Sequence, residues 1–234
     1  MFFFYFLLFF FLLLVVFSFL TKKYVNPYKL VMVFGKKGCG KTTTMAKLAS
    51  RAIRKGVPVF SSCPIAGTRA IDPKTFTLHS LPEGSLVLID EAGMCYDNRK
   101  FKTFPDHARD WFKLQRHYKC TVYLFSQDFD IDLKLRNLTD EMYLTRKVFR
   151  VFSVSRKIRR SIVLNNSTAE APSNIADNLE FVPIFVPGAV RVTFIPHWVK
   201  WFNSFDAPAL PPGENELYNI PLPSRFVRRC RRKH

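Results

Sequence analysis

Eight consecutive residues, Gly35-Lys36-Lys37-Gly38-Cys39-Gly40-Lys41-Thr42, satisfy the phosphate-loop pattern G-x-x-x-x-G-K-[ST] at every fixed position. Glycines in such a loop let the backbone turn its N–H groups toward an anion, and the start of the following helix adds positive potential. Lys41 would reach the β- and γ-phosphates, and the Thr42 hydroxyl would ligate Mg²⁺. With Thr43 in the helix behind it, the stretch Gly35, Lys36, Lys37, Gly38, Cys39, Gly40, Lys41, Thr42 and Thr43 is the candidate nucleotide site, for ATP with Mg²⁺.

A partner motif lies about 50 residues on. Leu86-Val87-Leu88-Ile89-Asp90-Glu91 is four apolar residues closed by two acids, the Walker B form. Asp90 would hold Mg²⁺, directly or through water, and Glu91 would polarise the attacking water as general base. One acid would suit a kinase or GTPase as well; the pair leans toward an ATP hydrolase of the RecA-like or AAA-like type. Gln127 follows a third apolar run, Cys120–Phe125, and is a candidate sensor of the γ-phosphate; an ordinary polar strand end is the alternative.

These groups need a scaffold. Lys29–Phe34 reads as a buried strand before the loop, and Thr42–Lys55 as a helix with Met45, Leu48, Ala49, Ala52 and Ile53 on one face, stopping at Gly56. Val57–Ser61 is a second strand, with Pro58 marking its start or a sheet edge. Residues 63–80 form a connector. Phe104–Tyr118 is a helix with Pro105 in its first turn, and residues 130–138 a short one. Residues 141–164 alternate apolar and basic around Ser155-Arg156-Lys157, which suggests two antiparallel strands joined by a turn. Residues 165–180 read as a polar loop, 181–195 as short strands and 196–205 as a terminal helix. The expected fold is α/β: a P-loop NTPase of RecA-like type, its parallel sheet flanked by helices, with an N-terminal transmembrane helix and a small C-terminal β-rich extension.

The transmembrane reading comes from residues 2–20, which hold no charged side chain and nine of the 25 phenylalanines. As a helix the run spans about 28 Å, close to the hydrocarbon core of a bilayer. A signal peptide is the rival, but no basic residue precedes the run and Ser18-Phe19-Leu20 is a poor cleavage site. Lys22, Lys23 and Lys29 follow, so the positive-inside rule puts the remainder in the cytoplasm, on a single-pass inner-membrane protein. That remainder carries the whole net charge of +18, which points to nucleic acid or an anionic membrane face, or to a merely solvated basic surface. Five cysteines without a C-x-x-C pair argue against a disulfide framework or a zinc site. After a Pro-rich linker, the tail 225–234 carries six Lys or Arg and would be drawn to lipid or to nucleic-acid phosphates.

Several phrases resemble the zonula occludens toxin-like (Zot) family, the assembly ATPases of filamentous phages. They are the phosphate loop, residues 85–92, Gln115-Arg116-His117-Tyr118, Phe125-Ser126-Gln127-Asp128, Asp130-Ile131-Asp132 with Leu135-Arg136, and Trp201–Asp206. The resemblance covers residues 28–206, which gives three parts: an anchor (1–21), the ATPase domain with its β-rich portion 141–195, and the linker and tail (207–234). It implies a cytoplasmic motor that extrudes single-stranded phage DNA through the inner membrane as coat proteins assemble. In the family the span usually follows the ATPase domain; here it comes first. Motors of this kind often work as homo-oligomeric rings in which a neighbour supplies an arginine finger. Arg116 is the first candidate, with Arg99, Arg109 and Arg136 behind it. A DNA translocase or packaging ATPase of cellular or plasmid origin, and a nucleotide-binding membrane adaptor without turnover, are the alternatives.

Overall fold

A computed structural model of the chain describes residues 2–96, 106–127, 133–164 and 175–203. The chain opens with α1 (Phe2–Thr21), an apolar helix of membrane-span length whose side chains are exposed along its length. A short link leads to β1 (Leu30–Phe34), the phosphate loop and α2 (Lys41–Ile53). Then come β2 (Val59–Ser61), β3 (Arg69–Ala70), β4 (Leu86–Ile89), α3 (Ala92–Cys95), α4 (Asp106–Leu114), β5 (Thr121–Ser126) and α5 (Leu133–Asn137). Four strands close the order: β6 (Glu141–Val148), β7 (Phe152–Leu164), β8 (Ile175–Phe181) and β9 (Val190–Phe194), followed by α6 (Ile195–Trp198).

The nine strands among the described residues join one sheet in the order β3-β2-β4-β5-β1-β6-β7-β8, with β9 also paired to β7. From β3 to β6 every pairing is parallel; β6-β7, β7-β8 and β7-β9 are antiparallel. The strand carrying Walker B is therefore separated from the phosphate-loop strand by β5. Alternation along the strands divides the core in two. Leu30, Met32 and Phe34 point to one face with Val87, Ile89, Val122 and Leu124, under Phe76, Trp111 and Phe112. Val31, Val33, Leu86 and Leu88 point to the other, under Met45, Ala46 and Ala49 of α2. Both faces are covered, which is why these strands read as unbroken apolar runs.

Three expectations need correction. The turn between the antiparallel strands falls at Phe149–Val151, and Ser155-Arg156-Lys157 lie inside β7. Residues 175–180, expected in a polar loop, form most of β8. The helix expected to reach Tyr118 ends at Leu114, where Gln115 turns its side chain back onto the Cys120 carbonyl. Pro58 does precede β2, but β2 lies inside the sheet between β3 and β4. The linker and tail, Arg99, Asp130-Ile131-Asp132 and most of the 165–180 stretch lie outside the described residues.

Candidate nucleotide site

The C-terminal ends of β1, β4 and β5 bring together the motifs that the sequence separates. The phosphate loop leaves β1 with Gly35, whose N–H donates to the Ser126 carbonyl at the end of β5 (3.1 Å). Packing dictates the glycine: a Cβ on Gly35 would come within 2.6 Å of both Cys39 Sγ and the Thr145 carbonyl oxygen. Gly40, the residue before α2, takes φ +93°, a left-handed conformation that other residues adopt at a cost. Its carbonyl accepts from the Thr43 and Thr44 hydroxyls (2.6 and 2.9 Å), and a Cβ there would strike Ser153 of β7. The loop is thus wedged between its own helix and the β6–β7 hairpin.

Inside this loop the Lys41 side chain is buried, its Nζ donating to the Gly35 carbonyl (2.7 Å) and more weakly to that of Lys36 (3.4 Å). Thr42 Oγ1 donates to Asp90 Oδ2 at 3.2 Å. Those two oxygens suit Mg²⁺: an octahedron with bonds of 2.0–2.1 Å has neighbouring ligands about 3 Å apart, and the ion commonly takes one or two protein oxygens plus phosphates. The Asp90 carboxyl is also pushed above the ordinary carboxylate range by burial, with the neighbouring Glu91 charge adding to it. A divalent cation would offset that penalty.

Glu91 stands at the turn after β4 with φ +48°, and its Oε1 accepts from Gln127 Nε2 at 2.8 Å. The candidate base and the candidate sensor are therefore in direct contact, because β5 ends beside β4. Ser62, not singled out from the sequence, accepts from the Asp90 N–H (2.8 Å). Thr145 and Ser153 were likewise illegible, since only the register of β6 and β7 sets them against the loop. Exposed Lys36 and Lys37 share a cavity of about 510 Å³ with Cys39, Leu144, Arg146 and Lys147. It is large enough for a nucleoside and is lined by four cations.

The arginines fall elsewhere. Arg116 is exposed in the turn before β5, at the other end of that strand from Gln127. Six residues of strand span about 20 Å, so Arg116 does not reach the site of its own chain. Arg109 is engaged on α4 with Asp106 (3.0 Å) and Asp110 (3.3 Å). Arg136, half-buried near the start of β6, has an Nε without a partner among the described residues.

Residues 70–170 match the family model described as Zonular occludens toxin (Zot). Over that span the chain is Zot-like. The span holds Walker B, Arg116, Gln127 and the β6–β7 hairpin. Among solved structures, the N-terminal domain of zonular occludens toxin from Neisseria meningitidis shares 18% identity, with 56% of this chain and 83% of that one covered and a TM-score of 0.45. The genome packaging NTPase B204 from Sulfolobus turreted icosahedral virus 2, in complex with ATP-gammaS, shares 14% over 57% of this chain and 93% of its own, at 0.45. The flagellar accessory protein FlaH from Methanocaldococcus jannaschii shares 9% over 55% and 77%, at 0.42. No curated protein sequence matches the chain.

Proposed function

We propose that this Zot-like chain is a membrane-anchored ATPase of RecA-like type that drives filamentous phage assembly, moving single-stranded phage DNA across the inner membrane. One observation carries the reading: Lys41, Thr42, Asp90, Glu91 and Gln127 converge at the ends of three neighbouring parallel strands. In this reading the ATP phosphates lie in the loop, Lys41 moves from the loop carbonyls to the β- and γ-phosphates, and Thr42 and Asp90 would hold Mg²⁺. Bound Mg²⁺ would neutralise charge on the phosphates. Glu91, oriented by Gln127, takes the proton from the attacking water. The nucleoside extends over Lys36 and Lys37 into the cavity against β6. α1 is the anchor, and Lys22, Lys23 and Lys29 keep the ATPase cytoplasmic. Homo-oligomeric assembly and coat-protein contacts follow from the family resemblance.

The test is ATP turnover by the full chain in lipid, beside Lys41→Ala and Glu91→Gln, with and without single-stranded DNA. Glu91→Gln is expected to lose about 10²–10⁴-fold in rate, Lys41→Ala to lose nucleotide binding as well, and DNA to stimulate the wild type. Wild-type turnover no higher than that of the variants, in lipid and with DNA, would sink the motor reading in favour of a nucleotide-binding adaptor.

A further inference from the structure

Leu144 of β6 pairs with Phe34, the last residue of β1, yet β6 continues to Val148 before the chain turns back. The β6–β7 hairpin, flanked by β9 as far as its turn, therefore carries Phe149 about 17 Å past the end of β1 at 3.3 Å per residue. At its tip Phe149 is 84% exposed, and Arg146, Lys147 and Arg150 around it are exposed as well. From Met142 to Leu164 there are seven Lys or Arg and no acid. The tip is also strained. Phe149 and Arg150 take φ +48° and +59° in succession, the left-handed region that Gly and Asn enter at least cost. Placing a ring and a guanidinium there costs stability and displays both to solvent.

We propose that this tip is a contact site for single-stranded nucleic acid, with Phe149 stacking on a base and Arg150 on a flanking phosphate. An aromatic ring interleaved with cations suits a strand whose bases are unstacked. Lipid is disfavoured by position. The apolar helix α1 leads into the N-terminal ends of the strands, the end opposite the tip, and the exposed apolar turn with Ile184 and Phe185 lies beside the start of β9, not at the tip. The same hairpin supports the phosphate loop, through Thr145 against Gly35 and Ser153 against Gly40, each four residues from Phe149. Nucleotide beside these residues and nucleic acid at the tip would thus meet on one hairpin. This deepens the motor reading and rests on it, but its test reads binding without turnover, so the two fail separately.

The experiment measures binding of a fluorescent oligothymidylate by the full chain in neutral detergent, across a salt series. The double variant Phe149→Asn/Arg150→Gly puts residues that tolerate left-handed backbone at both positions, so its melting temperature should equal or exceed the wild type's. Its affinity should fall at least about tenfold, and the slope of log K against log salt should lessen by about 0.7 for the lost phosphate contact. Phe149→Trp should keep the affinity and Phe149→Leu should lose it. Affinity within about twofold of wild type in the double variant, or full affinity in Phe149→Leu, overturns the proposal. So does a double variant that keeps oligothymidylate binding and loses only binding to phosphatidylserine vesicles.

Discussion

At the residue scale, the informative contact is the 2.8 Å hydrogen bond from Gln127 to Glu91. Glu91 sits in a left-handed turn, so its backbone directs the carboxylate and Gln127 fixes where it points. A hydrogen bond to a charged group contributes about 1.5–3 kcal/mol, and each 1.36 kcal/mol is tenfold in rate. If that bond matters in the transition state, Gln127→Ala should lower kcat by about 10–100-fold with KM little changed. Steady-state kinetics over an ATP series would check it; kcat within about twofold of wild type would reduce Gln127 to a polar strand end. Lys41, Thr42, Asp90 and Glu91 were legible because their local spacing encodes the backbone that presents them. The Glu91–Gln127 pairing was not, since it depends on β5 lying between β1 and β4, which no local pattern records.

At the element scale, Glu141 ties the parallel half of the sheet to its antiparallel extension. The side chain opens β6 almost wholly buried and meets Lys29 (2.6 Å) before β1, Lys157 (3.1 Å) on β7 and Arg191 (3.1 Å) on β9. Burial alone would raise its pKa; hydrogen bonds from Lys29, Tyr143 and Lys157 outweigh burial and hold it at about 2, against an ordinary 4.5. A depressed carboxyl pKa stabilises the fold fully above the ordinary value, and the stabilisation disappears as pH falls from there toward about 2. Allowing for the partly exposed partners, it amounts to roughly 2–3 kcal/mol. Glu141→Gln should therefore lower Tm by roughly 5–10 °C near neutrality, and the gap should close as the pH approaches about 2. Melting curves over that range decide it; a gap independent of pH would mean that packing, not charge, is lost. Most elements of the parallel half could be read from apolar runs with helical or strand spacing. The hairpin turn could not, because Phe149-Arg150 carries none of the Gly or Asn that usually marks such a turn.

At the scale of the whole molecule, Arg116 poses the question of assembly. It stands a full strand length from Glu91 of its own chain, so a catalytic role requires the site of a neighbour. If α1 anchors the chain as proposed, confinement to the membrane plane would raise the effective concentration of neighbours and favour that arrangement. The role can be separated from simple folding defects by complementation. Arg116→Ala keeps the base but lacks the finger; Glu91→Gln keeps the finger but lacks the base. Arg116→Ala alone should turn over ATP at least about 10³-fold more slowly than wild type, and Glu91→Gln alone about 10²–10⁴-fold. Mixed in equal amounts before reconstitution in lipid, half of the sites have the base and half of their neighbours have the finger. About a quarter of the interfaces are then complete, and turnover should recover to about that fraction of wild type. Folding damage in either variant cannot produce such recovery, because neither chain regains a lost group of its own. Two inactive variants that stay inactive in the mixture would remove Arg116 as a finger. The search would then pass to cations at the phosphate-loop end of the sheet, Arg146 first, which lies beside the loop and is exposed.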